Sequence, residues 1–101
     1  MAHYDDLTDL PNRTLLAERL NQAILQNNHQ HNSLAVAFLD LDDLKTVNNA
    51  HGHDVGDELL IIISLRIKEV LRKGDTLARI GGDEFVLVLT DLAKTEDLAR
   101  Y

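Results

Sequence analysis

The chain has 101 residues, of which 45% are hydrophobic, so it can form the core of one folded domain and is not a disordered acidic segment. It contains no cysteine, which excludes disulfides and thiolate metal sites. The formal net charge of −7 disfavours duplex nucleic acid as a partner, because its phosphates require a surface rich in lysine and arginine. The apolar run of residues 59–63 is too short to span a bilayer, and no signal peptide is visible. A cytoplasmic location is therefore expected, with membrane attachment of a longer parent protein left open.

The first predicted helix follows a polar opening segment. Thr8 or Asp9 can cap this helix, and Pro11 suits its first turn, where a missing N–H costs nothing. Apolar residues then recur with helical spacing, at Leu16, Leu20, Ala23 and Ile24. Residues 27–32 are polar and predict a loop.

The first predicted strand is the apolar run of residues 34–39. This run does not alternate between apolar and polar side chains, which is typical of a strand covered on both faces. Asp40 follows it directly, and an acid at the end of a buried strand must emerge at the rim of the sheet. A short helix is then expected over residues 44–49 and a loop over residues 51–56.

The longest predicted helix begins at Asp57 and Glu58, which suit the positive end of its dipole. Arg72 and Lys73 suit the negative end, before Gly74. One face is apolar, with Leu59, Leu60, Ile63, Ile67, Val70 and Leu71. The neighbouring apolar residues Ile61, Ile62 and Leu65 predict that the helix is covered on more than one side.

Two glycines, Gly81 and Gly82, separate the strand-like runs 76–80 and 85–89 and predict a tight hairpin. Asp83 and Glu84 follow the glycines at once, and by themselves they fit a solvated polar turn as well as a functional site. A last helix is predicted to start after the second strand, with Thr95 as its cap. This order of helices and strands predicts an α+β fold.

The run Gly-Gly-Asp-Glu-Phe at residues 81–85 resembles the signature of the GGDEF family, the diguanylate cyclases, and other matches stand at compatible spacing from about Asp5 onward. The resemblance implies the palm-like, ferredoxin-like antiparallel sheet of nucleotide cyclases, packed with helices. The family's domain runs on through a further helix–strand portion. Residues 1–101 are therefore expected to be a partial GGDEF domain, incomplete at the C-terminus and inactive by itself.

The resemblance also implies an activity for the intact protein, which is the condensation of two GTP molecules to cyclic di-GMP between the two domains of a homodimer. Mg²⁺ prefers hard oxygen ligands. We expect Asp40 and Asp83 to lie side by side and to hold Mg²⁺, with Mn²⁺ as an alternative and the main-chain carbonyl of Leu41 as a third ligand. Glu84 is expected to bind the metal or to help deprotonate the attacking hydroxyl.

Nucleotide-binding residues follow from the same resemblance. Asn48 and Asp57 match base-reading positions, although Asp57 by itself is more typical of a helix start. Lys45 matches a lysine that contacts phosphate. Main-chain N–H groups around Asp43 and Leu44 are expected to cradle the phosphates.

Arg72 and Asp75 resemble the R-x-x-D inhibitory site, where the product cyclic di-GMP binds in many cyclases. The alternative is a helix C-terminus with basic residues and a glycine cap. Two other functions stay open. One is a catalytically silent module that binds GTP or cyclic di-GMP and regulates an attached sensor or EAL-type phosphodiesterase domain, and the other is a purely structural fragment.

Overall fold

The structure is a computed structural model that describes residues 2–30, 33–41 and 44–92, without the side chains of residues 28–30 and 91. The described residues form three helices and three strands, in the order α1 Arg13–Gln30, β1 Ser33–Asp40, α2 Leu44–His51, α3 His53–Val70, β2 Thr76–Gly81 and β3 Glu84–Leu92. The predicted α+β class is confirmed. The predicted last helix, with its cap at Thr95, lies outside the described residues.

The three strands form one antiparallel sheet in the order β1-β3-β2, so β3 is central and pairs with both neighbours. Leu39 lies opposite Phe85, and Leu87 lies opposite both Ala37 and Leu77. Directly opposed residues project to the same face of a sheet. This face carries the core, whose buried members are Leu10, Leu44, Leu60, Leu77 and Phe85.

The other face of the sheet is only partly covered. Val86 and Val88 of β3 are buried there, and α1 contacts all three strands. On β1, however, Val36 is 42% exposed and Phe38 is 76% exposed. The prediction that the first strand is covered on both faces is therefore wrong for the described residues, because α1 leaves Val36 and Phe38 on the second face of β1 exposed.

Helix α1 begins later than predicted, at Arg13, because Asn12 rather than Thr8 or Asp9 caps it. The side-chain Oδ1 of Asn12 accepts the main-chain N–H of Leu15 at 3.1 Å. Pro11 is buried and precedes the helix, and its carbonyl accepts the main-chain N–H of Arg79 at 3.0 Å. The opening segment is thus attached to β2, and α1 continues through most of the predicted loop, to Gln30.

The loop predicted over residues 51–56 is reduced to one residue between two helices, Gly52, whose φ is +88°. Helix α3 consequently begins at His53, and Asp57 lies in its second turn instead of at its start. The reason is that Gly52 alone takes up the non-helical backbone conformation between the two helices, so the following residues join α3.

Buried residues follow one stripe of α3, at Gly56, Leu60 and Ser64. Ile62 and Leu65 are 51% and 55% exposed, so within the described part of the chain the predicted cover on more than one side of this helix is wrong. No helix within the described residues is both long and apolar enough to cross a membrane.

The tight hairpin is confirmed, with its turn one residue later than the glycine pair. β2 ends at Gly81 and β3 begins at Glu84, so Gly82 and Asp83 form the turn, and Gly82 has a positive φ of +24°. Phe85 follows at 1% exposure and anchors the hairpin in the core. β3 then runs to Leu92, three residues past the predicted strand.

Candidate functional site

Three acidic residues meet at one end of the sheet, where β1 ends and β3 begins. Asp40 lies opposite Glu84 in the β1–β3 register. The main-chain N–H of Leu41 donates to the carbonyl of Asp83 at 3.1 Å. Opposed side chains on antiparallel strands have Cβ atoms about 4.5–5.5 Å apart, and like charges in that arrangement are destabilising. The register therefore places two of these acids side by side at the end of the sheet.

The oxygen atoms at this end of the sheet suit a metal ion that is also bound by a substrate phosphate. Among the residues described, no three acid or histidine side chains are grouped so as to hold a metal ion by themselves. Mg²⁺ is commonly bound by one or two carboxylates together with substrate phosphates, and Asp40 and Asp83 can supply the carboxylates. The carbonyl of Leu41 accepts the N–H of Leu44 at 3.2 Å, but a carbonyl has a second lone pair for a cation.

The start of α2 lies directly beside this end of the sheet. Leu44 is the first residue of α2, and its side chain is buried in the core at 7% exposure. Its single N–H donor is used by Leu41, so the predicted phosphate contact from Leu44 requires that bond to be replaced. Lys45 is exposed next to it. Asp43, the other residue predicted to cradle phosphate, lies outside the described residues.

Asn48 and Asp57, the predicted base-reading residues, belong to the two helices joined at Gly52. The side chain of Asn48 lies against Gly56, and its Oδ1 is buried without a hydrogen-bond partner in the described part of the chain. An unpaired buried acceptor costs about 1–3 kcal/mol. Asp57 is exposed one residue beyond Gly56. The two residues are thus placed on either side of one helix junction.

Arg79 holds the hairpin turn, a role that the sequence patterns did not indicate. Its Nε–H donates to the carbonyl of Gly82 at 2.9 Å, directly before Asp83. Its Nη1 donates to both carboxylate oxygens of Asp5 at 3.1 Å. Because Asp5 and Arg79 are 74 residues apart, no local pattern could have paired them.

Asp5 also organises the opening segment of the chain. Its Oδ2 accepts the main-chain N–H of Thr8 at 2.9 Å and the Thr8 hydroxyl at 2.8 Å. Partial burial raises the pKa of the Asp5 carboxyl, but the hydrogen bonds from Thr8 and the contact with Arg79 outweigh it, so this pKa lies below its ordinary value. The ionised form of Asp5 therefore stabilises the folded state.

Arg72 and Asp75, the predicted product site, form a closed network at the turn between α3 and β2. The Asp75 carboxylate is fully buried, and its oxygens accept the main-chain N–H groups of Arg72 and Thr90, both at 3.0 Å. The Arg72 guanidinium donates to the carbonyl of Thr90 and lies 3.5 Å from Asp75. Asp75 thus has a structural role in holding this turn to β3, whereas the Arg72 side chain remains 44% exposed.

A cleft of about 640 Å³ lies beside this network. It is lined by polar residues of α1, by the turn at Lys73 and Gly74, and by Val88 and Thr90 of β3. Arg19 of α1 and Lys73 supply positive charge to its walls. The cleft is separate from the acidic end of the sheet and could accept an anionic ligand.

The chain belongs to the GGDEF family, because the family model described as "Diguanylate cyclase, GGDEF domain" matches residues 2–100. Its relatives include the bifunctional diguanylate cyclase/cyclic di-GMP phosphodiesterase MucR of Pseudomonas aeruginosa, 53% identical over 88% of this chain and 13% of that protein. Diguanylate cyclase TpbB of the same species is 44% identical over 98% of this chain and 23% of that protein. The cyclic di-GMP phosphodiesterase NbdA, also from this species, is 48% identical over 96% of this chain and 12% of that protein.

Solved structures confirm the fold, which is the palm-like fold of GGDEF domains. The isolated GGDEF domain of Pseudomonas aeruginosa TpbB has a TM-score of 0.91 and 44% identity, covering 97% of this chain and 57% of that one. The GGDEF domain of DgcB from Caulobacter crescentus, in complex with cyclic di-GMP, has a TM-score of 0.88 and 28% identity, covering 99% of this chain and 56% of that one. The chain therefore spans less than a quarter of these curated relatives and little more than half of these solved domains.

The Asp5 contacts predict a pH-dependent stability. Because the folded-state pKa of Asp5 is lowered, its contribution is complete above the unfolded-state pKa of about 3.9 and is lost as the pH falls through the folded-state pKa. We expect Asp5→Asn to lower the free energy of unfolding at pH 7, and the difference from wild type to shrink below about pH 4. Urea unfolding over a pH series checks this, with Glu69→Gln, at an exposed helix position, as the control. A difference between wild type and Asp5→Asn that does not change with pH would contradict the assignment.

Proposed function

We propose that the intact protein is a diguanylate cyclase, which joins two GTP molecules into cyclic di-GMP and releases two pyrophosphates. The observation that carries this proposal is the meeting of Asp40, Asp83 and Glu84 at one end of an antiparallel strand pair. Membership of the GGDEF family and the cyclase names of MucR and TpbB support it.

The reaction requires a 3′-hydroxyl to attack an α-phosphate, and its main difficulty is the negative charge on the phosphates. Asp40, Asp83 and the Leu41 carbonyl would hold a divalent cation, Mg²⁺ or Mn²⁺. When bound, such an ion neutralises phosphate charge and lowers the pKa of a coordinated hydroxyl. Glu84 lies opposite Asp40 and is suited to accept the proton from the attacking hydroxyl, a contribution of about 10²–10⁴ in rate for a well-placed base.

The nucleotide would extend from the acidic end of the sheet across the α2–α3 junction. Lys45 and the first-turn N–H groups of α2 would contact the phosphates, because a helix N-terminus presents N–H donors to anions, and the N–H of Leu44 would have to exchange its bond to Leu41 for one to phosphate. The Asp57 carboxylate would accept hydrogen bonds from the N1–H and 2-amino groups of guanine, with Asn48 beside it. The exposure of Lys45 and Asp57 supports these roles.

A second copy of the domain is required by the chemistry. One site of this kind holds one GTP, whereas the product contains two nucleotides joined by two phosphodiester bonds. We therefore propose that two domains meet as a homodimer, with the 3′-hydroxyl held by each domain attacking the α-phosphate held by the other.

We further propose that the domain continues beyond Tyr101 in a longer cytoplasmic protein that carries a sensor or EAL-type domain. The exposure of Phe38 on the second face of β1 supports this, because an apolar strand face is stabilised when further chain covers it. The greater length of MucR, TpbB and NbdA is consistent with such an arrangement. By itself, the 101-residue chain is expected to turn over little or no GTP.

A second candidate function is regulation by bound cyclic di-GMP, either as product inhibition or as the sole role of the domain. The partly exposed guanidinium of Arg72 and the neighbouring cleft with Lys73 favour it, because arginine suits contacts with phosphate and guanine. NbdA is similar to nearly the whole of this chain. Related sequences therefore also occur in proteins named as cyclic di-GMP phosphodiesterases.

The cyclase proposal predicts that Asp83→Asn in the intact protein lowers cyclic di-GMP formation at least about a hundredfold. The substitution removes one charge and changes little in size, so the melting temperature is expected to stay near that of wild type. Chromatographic product analysis with Mg²⁺ and GTP measures the effect, and Glu69→Gln on the exposed side of α3 is the control. Normal turnover by a folded Asp83→Asn protein would contradict the proposal.

The regulatory candidate predicts that Arg72→Ala weakens cyclic di-GMP binding about tenfold or more, through the loss of charged hydrogen bonds. Calorimetric titration of the intact protein measures this, and Arg66→Ala, at an exposed position of α3, is the control. Asp75 is unsuitable for this test, because its buried carboxylate holds the turn and its loss would unfold the site. Unchanged affinity in Arg72→Ala would exclude this residue from the product site.

A further inference from the structure

The junction of α2 and α3 contains a close approach that depends on the absence of a side chain at Gly56. A Cβ added at this position would overlap Oδ1 of Asn48 and would lie 2.9 Å from its Cγ, which is closer than real Cβ contacts. Gly56 is inside α3 and is itself buried. The Asn48 amide therefore occupies a notch on the surface of α3 that only glycine leaves open.

The Asn48 amide enters the notch with its oxygen end. Oδ1 is buried there without a hydrogen-bond partner among the described residues, whereas Nδ2 is farther from the added Cβ position, at 3.5 Å. In this orientation the NH₂ group, which is a donor, lies farther from Gly56 than the oxygen does. Asp57, the next residue of α3, carries only acceptors when ionised. Asn48 thus offers a donor, and Asp57 offers acceptors one residue beyond Gly56.

We infer that Gly56 is a positioning residue for guanine recognition, because it sets the location and orientation of the Asn48 amide next to Asp57. This inference rests on the proposed function, in which Asn48 and Asp57 read the base. Guanine carries donors at N1–H and the 2-amino group and an acceptor at O6, whereas adenine has an acceptor at N1, no 2-amino group and a donor at the 6-amino group, so a fixed donor from Asn48 and a fixed acceptor from Asp57 match guanine better than adenine. A methyl group at position 56 would displace the donor and leave the acceptor in place.

Gly56→Ala is expected to lower stability, which is the opposite of the usual effect of this substitution in a helix. The contact between Gly56 and Asn48 can therefore be tested without any nucleotide. Alanine is normally preferred to glycine inside a helix. At position 56, overlap with Asn48 should reverse that preference, so that Gly56→Ala lowers the melting temperature. In an Asn48→Ala background the side chain that the added methyl group would overlap is absent. Gly56→Ala should then leave the melting temperature unchanged or raise it. The double-mutant cycle isolates this one contact.

The decisive experiment compares the affinity of the intact protein for non-hydrolysable analogues of GTP and ATP, by calorimetry with Mg²⁺. The two ligands share their ribose and triphosphate, so the ratio of affinities reports on base recognition alone. We expect wild type to prefer the GTP analogue and Gly56→Ala to lose about tenfold of that preference, with little change for the ATP analogue. A merely structural role would weaken both ligands equally and leave the ratio unchanged.

The possible outcomes separate this inference from the proposed function. A wild-type protein without preference for the GTP analogue would contradict base reading by Asn48 and Asp57 and the inference with it. A wild-type preference that survives in folded Gly56→Ala would overturn the inference alone. If Gly56→Ala fails to fold, the inference requires that the Asn48→Ala/Gly56→Ala double variant folds. An unfolded double variant would show that overlap with Asn48 is not what prevents Gly56→Ala from folding, and would overturn the inference.

Discussion

The register of β1 against β3 is the constraint on which the rest of the structure depends. It places Asp40 opposite Glu84 and brings the N–H of Leu41 to the carbonyl of Asp83. Because side chains alternate along a strand, a slip of one residue would turn Asp40 to the core face and Leu39 to the opposite face. The burial of Leu39 and Phe85 with the core therefore fixes the position of the acids as well.

Several contacts made by residues other than the three acids keep this end of the sheet in place. Phe85 is buried in the core directly after the turn and so fixes the start of β3. Arg79 holds the Gly82 carbonyl and is itself held by Asp5, which attaches the turn to the opening segment of the chain. Leu44 is buried at the start of α2 and fixes the helix beside the acids. Residues far apart in the sequence thus cooperate to arrange one small polar surface, as recognition and catalysis require.

Much of the fold could be predicted from the sequence because its signals are local. The glycine pair at residues 81 and 82, between two apolar runs, predicted the hairpin, and the helical spacing of apolar residues predicted α1 and α3. The starts of α1 and α3 were wrong because caps compete: Asn12 was a better cap than its neighbours, and Gly52 ended one helix and began the next within a single residue. Such choices depend on tertiary contacts, including the bond from Arg79 to Pro11.

The acidic residues of the candidate site could be predicted from the sequence, but the contacts that hold them in place could not. The signature residues 81–85 and Asp40 follow from the family resemblance, and the register brings Asp40 beside Glu84. The Asp5–Arg79 contact and the approach of Asn48 to Gly56 have no local signature, because each joins residues through space. Asp75 shows the opposite case, in which a residue predicted for binding has both carboxylate oxygens bonded within the protein.

The central claim is that Asp40 and Asp83 share one divalent cation, and Mn²⁺ binding tests it most directly. Mn²⁺ can replace Mg²⁺ at oxygen sites, and electron paramagnetic resonance counts the bound fraction in the intact protein with a non-hydrolysable GTP analogue. The account predicts that Asp40→Asn and Asp83→Asn each weaken Mn²⁺ binding about tenfold or more, and that the double variant is little worse than either single one. Full Mn²⁺ affinity in either single variant would contradict a shared site.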